Sequence, residues 1–177
     1  MNSCCPFGLS LRTERIKKGI PLWRYAASIP YPQNNVQRIE RGLTEPRIDL
    51  SVRLISALGT DMGPFMAALA FELGWSIPKE TFESAKHIQW DMIQCDHYFG
   101  SLLRSVRTTY GISQNTLASY ARYTARNLIS VENGNQSPRV MTALRLVCSL
   151  ECDVSGFFRK LQEWSALNID AGMTSSG

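Results

Sequence analysis

The sequence predicts an all-α protein made of two tandem copies of one small five-helix unit. Three observations lead to this fold class. Similar residues recur at a fixed offset through most of the chain. Within each copy, apolar residues follow the three- and four-residue spacing of amphipathic helices, between short segments rich in glycine, proline, serine and threonine. Alternating β-branched patterns, which would favour strands, are few.

The internal repeat has an offset of 92 residues and needs no gap. Phe7-Gly8 matches Phe99-Gly100, and Gly19-Ile20 matches Gly111-Ile112. In total, 20 positions of the first copy are identical in the second. They are Phe7, Gly8, Leu11, Arg12, Arg15, Gly19, Ile20, Ala26, Tyr31, Asn35, Glu40, Gly42, Pro46, Arg47, Arg53, Leu54, Leu58, Asp61, Phe65 and Leu69. Two copies at so long a period indicate a tandem pair rather than a solenoid.

The five helices are clearest in the second copy. The first is predicted from Phe99 to Thr109, where Gly111 ends it. Ser113 and Thr124 are expected to cap the second and third helices, because a side-chain oxygen can accept from the free amides of a helix start. Apolar residues mark the fourth helix, and Asp153 is expected to cap the fifth. The residues expected in the seam between the second and third helices are Leu117, Ala121, Leu128 and Val131.

The repeat sets the predicted domain boundaries. The first domain covers residues 7–73 and the second 99–165. Residues 74–98 form a connector that we expect to be helical and to pack on one or both domains, because it contains Phe82, Ile88 and Trp90. The tail at 166–177 is expected to fray.

Composition and charge exclude several classes of protein. The chain has 177 residues, 44% hydrophobic and 19% charged, which is typical of a packed globular protein rather than a disordered one. No apolar run is long enough for a membrane span, and the first residues lack the features of a secretory signal. The formal charge is +4. By our count the two copies carry +3 and +4 and the connector −2, so the basic charge lies in the repeats.

Cysteine and histidine usage predicts no metal site and no cofactor. Five cysteines, an odd number, suggest reduced thiols in a cytoplasmic protein. The two histidines, His87 and His97, do not complete a set of four zinc ligands with the cysteines. Neither a nucleophile with a base nor a phosphate-binding glycine loop is evident, so we do not expect an enzyme.

Residues 113–118, Ser-Gln-Asn-Thr-Leu-Ala, and residues 124–134, Thr-Ala-Arg-Asn-Leu-Ile-Ser-Val-Glu-Asn-Gly, resemble the Cro/CI-type (XRE-like) helix-turn-helix family. Arg107 before them and Pro138 after them fit the same pattern. The resemblance covers residues 99–162 well and 7–70 more loosely. It implies two lambda-repressor-like domains whose third helix enters the major groove of double-stranded DNA.

The resemblance implies three sets of functional residues. Base-reading positions in this family fall on Gln33, Asn34, Gln37 and Arg38 in the first copy, and on Ala125, Arg126, Ile129 and Ser130 in the second. Positions facing the phosphate backbone fall on Arg24, Arg41, Thr44, Arg47, Gln114, Asn133, Asn135 and Arg139. Structural salt bridges are implied between Arg15 and Glu40 and between Arg107 and Glu132.

The first copy departs from the family pattern in two places. Pro21 and Leu22 stand where the second copy has Ser113 and Gln114, so the cap and the phosphate-binding amide are missing, and Arg24 is the expected substitute. Pro30 and Pro32 occupy the turn between the second and third helices. Because proline fixes φ near −65°, this turn cannot take the usual left-handed form.

Together these features predict a transcriptional regulator, in the sense of a repressor, that binds an imperfect palindromic operator as a single-chain pseudo-dimer. The resemblance implies a phage, plasmid or other mobile element as its setting. Linking the two domains would make the second DNA contact intramolecular. Two alternatives stay open. One is an adaptor, antirepressor or antitoxin-like protein whose connector binds a protein partner, and the other is a chain that dimerises further on a longer operator.

Overall fold

A computed structural model describes residues 4–75 and 98–173, with side chains up to residue 166. These residues form ten α-helices and no sheet strand, in agreement with the all-α prediction. The predicted connector therefore lies outside the described residues, apart from Gly74, Trp75 and Tyr98. We refer to residues 4–75 as the first half and to residues 98–173 as the second half.

The helices of the two halves follow one another in the same order. Those of the first half are α1 (Pro6–Lys17), α2 (Leu22–Ala27), α3 (Gln33–Glu40), α4 (Ile48–Ala57) and α5 (Met62–Glu72). Those of the second half are α6 (Phe99–Thr109), α7 (Gln114–Tyr120), α8 (Ala125–Glu132), α9 (Val140–Cys148) and α10 (Val154–Met173). Helices α3 and α8 begin and end at positions that the repeat offset relates.

Side-chain caps begin α5 in the first half and α7 and α8 in the second half. Ser113 accepts from the backbone amide of Thr116, and Thr124 accepts from that of Asn127. Asp61 caps α5 by accepting from the amide of Gly63. Pro21 precedes α2 without a side-chain cap, as the sequence predicts.

The turn before the third helix differs between the halves. Arg122 adopts a left-handed conformation with φ of 49°, and the amide of Tyr123 then donates to the carbonyl of Ala118. Its counterpart in the first half is Pro30, which cannot reach a positive φ. There the amide of Tyr31 instead donates to the carbonyl of Ile29, at 2.6 Å. The predicted absence of a left-handed turn in the first half is confirmed.

The last helix of the second half is longer than the repeat predicts. Helix α5 ends at Glu72, and two residues later Gly74, with φ of +67°, allows the amide of Trp75 to donate back to the carbonyl of Ala70. The counterpart of Gly74 is Ala166, which lacks the freedom of glycine to turn left-handed. Helix α10 consequently continues to Met173, through much of the tail that the sequence led us to expect frayed.

Equivalent residues fill the cores of the two halves. The rings of Phe7 and Phe65 lie 5.8 Å apart between centroids, and those of Phe99 and Phe157 lie 5.7 Å apart. All four pack edge to face or nearly so. The seam residues predicted for the second and third helices of the second half are fully or almost fully buried. They are Leu117, Ala121, Leu128 and Val131.

A glycine at the same place in each half lets the first and third helices approach closely. A Cβ atom on Gly8 would lie 1.8 Å from the carbonyl oxygen of Ile39. A Cβ atom on Gly100 would lie 1.8 Å from the carbonyl oxygen of Val131. Any side chain at these positions would therefore force α1 away from α3, or α6 away from α8.

The two halves meet directly through equivalent residues. Arg47 and Arg139, which the repeat offset relates, form an isolated antiparallel β-bridge. The amide of Ile48 donates to the carbonyl of Pro138 at 2.9 Å. The amide of Val140 donates to the carbonyl of Pro46, also at 2.9 Å. The two hydrogen bonds are equivalent, because the repeat relates Ile48 to Val140 and Pro138 to Pro46. Such reciprocal contacts are typical of a two-fold interface.

Helices α5 and α10 form the other part of this interface. A Cβ atom on Gly63 would lie 2.5 Å from the carbonyl oxygen of Ser155, the residue that the repeat relates to Gly63. The side chain of Gln162 accepts from the amide of Met62 and donates to the carbonyl of Thr60, so it closes the start of α5. The halves are thus held together by contacts of their own, in addition to anything that the connector supplies.

No single helix within residues 4–75 and 98–173 has the length and apolar character needed to cross a membrane. The pair formed by α4 and α5, bent by 115°, meets those two criteria only when its members are taken together.

Candidate nucleic-acid interface

A buried ion pair joins the first and third helices of each half. The guanidinium of Arg15 contacts the carboxylate of Glu40 through two nitrogens, at 2.6 and 2.8 Å. Arg107 and Glu132 do the same at 2.6 and 2.9 Å. Each arginine also donates to a carbonyl five residues further on, that of Ile20 or Ile112. The hydrogen bond to Glu40 raises the pKa of Arg15. The two pairs that the resemblance implies thus form, and they fix the end of α3 and of α8.

The base-reading candidates lie on α3 and α8, where five of the eight are exposed and Ala125 packs against the core. On α3, Gln33, Asn34 and Arg38 are exposed and Gln37 is partly buried. On α8, Arg126 and Ile129 are exposed, and Ala125 and Ser130 are partly buried. The inward positions of the same helices are apolar or belong to the ion pairs. Each helix therefore presents a free face beside a fixed one.

Arg38 differs from the other base-reading candidates because its side chain donates a hydrogen bond to another side chain. Its Nε lies 3.4 Å from the hydroxyl oxygen of Thr44, in the loop that follows α3. Thr44 is one of the residues predicted to face phosphates. In this conformation the guanidinium of Arg38 lies beside the loop that holds Thr44.

Gln114 is not a free phosphate ligand in the structure. Its amide nitrogen donates to Glu132 at 2.7 Å and so extends the buried ion pair of Arg107 to the start of α7. An amide nitrogen carries two hydrogens, so the second remains for another acceptor. The counterpart in the first half, Leu22, can make neither contact.

Arg47 and Arg139 lie where the two halves meet, which the resemblance does not indicate. Arg47 donates from Nη1 to the carbonyl of Ser137 at 2.5 Å, and Arg139 donates from Nη1 to the carbonyl of Glu45 at 2.9 Å. Both side chains are exposed, so their remaining donors are available. The other predicted phosphate positions, Arg24, Arg41, Asn133 and Asn135, are exposed as well.

Sequence reasoning did not find the residues that join the halves. Glu45 accepts from the amide of Met141 at 2.9 Å and thereby closes the start of α9. Arg159 contacts Asp61 at 3.0 Å. Gln162 binds three groups around the start of α5. None of these three is repeated in the other half, where Ser137, Ala67 and Ala70 are the counterparts, so the repeat gives no signal for them.

Comparison with protein-family models, curated proteins and solved structures returns no match.

Two of the four cysteines in the described residues, Cys5 and Cys152, are buried, and Cys148 is partly buried. Desolvation raises the pKa of Cys148 to about 12 and raises the pKa values of Cys5 and Cys152 as well. Cys4 is exposed, and its sulfur donates to the carbonyl of Arg41. Within the described residues, no three histidine, cysteine or acidic side chains gather closely enough to hold a metal ion.

Proposed function

We propose that the protein is a sequence-specific DNA-binding regulator of transcription, in the sense of a repressor, that acts as a single-chain pseudo-dimer. Each half is a five-helix, lambda-repressor-like helix-turn-helix domain. The recognition helices are α3 and α8, and the ligand is double-stranded DNA with two related half-sites. The protein would act in the cytoplasm, as a regulator that belongs to a phage or other mobile element.

The reciprocal pairing at Arg47 and Arg139 carries the proposal. A two-fold protein binds a palindromic operator because equivalent helices then face equivalent half-sites about 34 Å apart, one turn of DNA. Here the chain pairs residues that its own repeat relates, from Pro46 to Val140 and from Ile48 to Pro138. A covalently linked pair of equivalent recognition helices is what such an operator needs.

The chemistry of the exposed residues supports the same conclusion. Arg126 suits guanine, which offers two acceptors in the major groove, and Gln33 and Asn34 suit adenine, which offers a donor and an acceptor. Arg41 and Asn133 follow the recognition helices and are exposed, as backbone-contacting residues would be. Because α3 and α8 present different side chains, the preferred operator is an imperfect palindrome.

Selection of bound sequences from a random duplex pool tests the proposal. We expect enrichment of two related half-sites, spaced by about one turn of DNA, at moderate salt. Arg38→Ala combined with Arg126→Ala should weaken binding to the enriched sequence at least tenfold, since a good arginine–guanine contact contributes about 1–3 kcal/mol. Absence of any enriched sequence would contradict the proposal, because non-specific binding is mostly electrostatic.

A matched control separates base reading from loss of charge. Arg12 and Arg104 are exposed arginines that the repeat relates, on α1 and α6. The double variant Arg12→Ala, Arg104→Ala removes the same number of charges and should leave the enriched sequence unchanged. If both double variants lose binding equally at every sequence, the arginines act only through charge.

Exposed apolar residues of the first half favour a second candidate function, an adaptor that binds a protein. Trp23 is 65% exposed and Leu43 59% exposed, where the second half has Asn115 and Asn135. Such residues are typical of protein-binding surfaces when they lie together. Under this alternative, DNA binding is absent or insensitive to Arg38→Ala with Arg126→Ala, and a partner is lost in Trp23→Ala.

A further inference from the structure

The two recognition helices differ along one strip, formed by two positions that lie four residues apart. Gln33 and Gln37 are four residues apart on α3, so their side chains lie side by side on the helix. The same two positions of α8 hold Ala125 and Ile129. A pair of amides in one half is thus replaced by a pair of apolar side chains in the other.

Ile129 stands out among the residues of α8. Its side chain is 41% exposed, whereas Leu128 and Val131 are buried almost completely. Its neighbours on the free face are the exposed Arg126 and the partly buried Ser130. A single exposed isoleucine needs no special explanation. Ile129 is, however, the exposed apolar side chain of a face that is otherwise polar and cationic, at a position where the first half has Gln37. This exchange indicates a ligand that carries an apolar group on an otherwise polar, anionic surface.

We infer that Ile129 contacts the 5-methyl group of a thymine in the half-site bound by the second half. This inference rests on the proposed function. In the major groove, thymine alone among the four bases presents a methyl group, which apolar side chains contact, whereas glutamine pairs with the donor and acceptor of adenine. Arg126, next to Ala125, is the cationic neighbour that the proposed function places on a guanine.

The inference specifies how the operator departs from perfect symmetry. At the step contacted by Gln37 the first half-site has adenine, and at the equivalent step the second half-site has thymine on the corresponding strand. Ile129 is then a specificity-determining residue, and Gln37 is its counterpart. Exchange of the two side chains should exchange the two preferences.

Replacement of thymine by deoxyuridine is the direct test, because deoxyuridine differs only in lacking the methyl group. The probe is the duplex enriched from the random pool, with each thymine replaced in turn. We expect one position in the second half-site at which the replacement weakens binding roughly fourfold, the effect of one buried methyl group. Ile129→Ala should bind the thymine and deoxyuridine duplexes equally.

Two further variants complete the experiment. Ile16→Ala removes an isoleucine that is 57% exposed on α1, and it should keep the full thymine–deoxyuridine difference. Ile129→Gln should shift the enriched base at this step from thymine to adenine, which is a readout that a purely structural role would not move.

The outcomes separate the inference from the proposed function. If a specific operator is enriched but no deoxyuridine replacement weakens binding, or if Ile129→Ala keeps the difference, the inference is wrong and the proposed function stands. If no operator is enriched, both fail. If Ile129→Ala instead abolishes binding of a protein partner and DNA selection fails, the apolar strip belongs to a protein interface.

Discussion

The starts of α2 and α7 occupy corresponding places in the two halves, but they are built from different chemistry. In α7, Ser113 caps the helix and Gln114 reaches the carboxylate of Glu132. In α2, Pro21 and Leu22 provide neither contact. The ion pair behind them is nevertheless the same, with nearly equal distances in both halves. The ion pair is therefore a shared part of both halves, whereas the start of the second helix differs between them.

The turns before the third helices, α3 and α8, also differ between the halves. Arg122 holds a left-handed conformation that costs a non-glycine residue about 1–2 kcal/mol, and Pro30 avoids it altogether. Both turns still deliver an eight-residue third helix to the same place in the repeat. The left-handed turn is therefore one of two ways to join these helices and not a requirement of the fold.

Removing the carboxylate of the ion pair should have the largest effect on stability. Glu40→Ala and Glu132→Ala each leave a buried arginine without its partner, which costs about 3–5 kcal/mol. Glu132→Ala should cost more than Glu40→Ala, because Gln114 loses its acceptor as well. Urea denaturation gives both free energies of unfolding.

The variant Gln114→Leu tests the reason for this difference. It gives the second half the residue found at position 22, so the ion pair stands alone there as it does in the first half. In this background, Glu132→Ala should cost about as much as Glu40→Ala. An undiminished excess would show that Gln114 is not its cause.

Close approach of the helices predicts the next largest effect. Gly8→Ala and Gly100→Ala each place a methyl group against a backbone carbonyl, which overpacks the contact and should cost about 3 kcal/mol. The two costs should agree, because both halves share this part of the scaffold. Gly19→Ala is the control, since only its φ of +65° is affected and no atom lies within 4 Å. It should cost about 1 kcal/mol.

The helices and the ion pairs were predictable from the sequence because the residues that form them occur in both copies of the repeat. The offset of 92 residues, the ion-pair partners and the capping residues Ser113 and Thr124 all recur or follow local rules. The extension of α10 could have been predicted in the same way, from Ala166 in the place of Gly74. Local signals of this kind need no knowledge of how the chain packs.

The join between the halves was not predictable, because its residues have no local signal. Gln162 reaches Met62 across 100 positions of sequence, and its own counterpart is Ala70. Glu45 closes the start of α9 from the other half. Contacts of this kind have no equivalent in the other half and depend on how the two halves pack together. Neither the helical periodicity nor the repeat indicates how they pack.

Alkaline pH should destabilise the first half through a residue that the second half lacks. Tyr25 is buried and donates to the carbonyl of Leu54 at 2.6 Å, and its counterpart is Leu117. Burial raises the pKa of Tyr25 above its usual value of 10.0. The folded state therefore keeps the proton where the unfolded state loses it, and stability falls as the pH rises above 10.

The variant Tyr25→Phe isolates this contribution. At neutral pH it should be less stable than the wild type by about 1–2 kcal/mol, because the carbonyl of Leu54 loses its donor. Above pH 10 the gap should narrow by about 1.4 kcal/mol per pH unit, since only the wild type loses stability through this group. Buried and partly buried cysteines such as Cys148 also make stability depend on pH, but they do so equally in the wild type and in Tyr25→Phe. A constant gap from pH 7 to pH 11 would contradict the assignment.

The smallest expected effect concerns the cap that distinguishes the starts of α2 and α7. Ser113→Ala removes a side-chain acceptor from the amide of Thr116 and should cost about 1 kcal/mol. The reverse change, Pro21→Ser, adds a cap to α2 but also frees the unfolded chain from the constraint of proline. These two contributions are similar in size and opposite in sign, so Pro21→Ser should change stability by less than about 0.5 kcal/mol. If Pro21→Ser instead destabilises the protein as much as Ser113→Ala does, the rigidity of Pro21 contributes as much to the first half as the Ser113 cap contributes to the second.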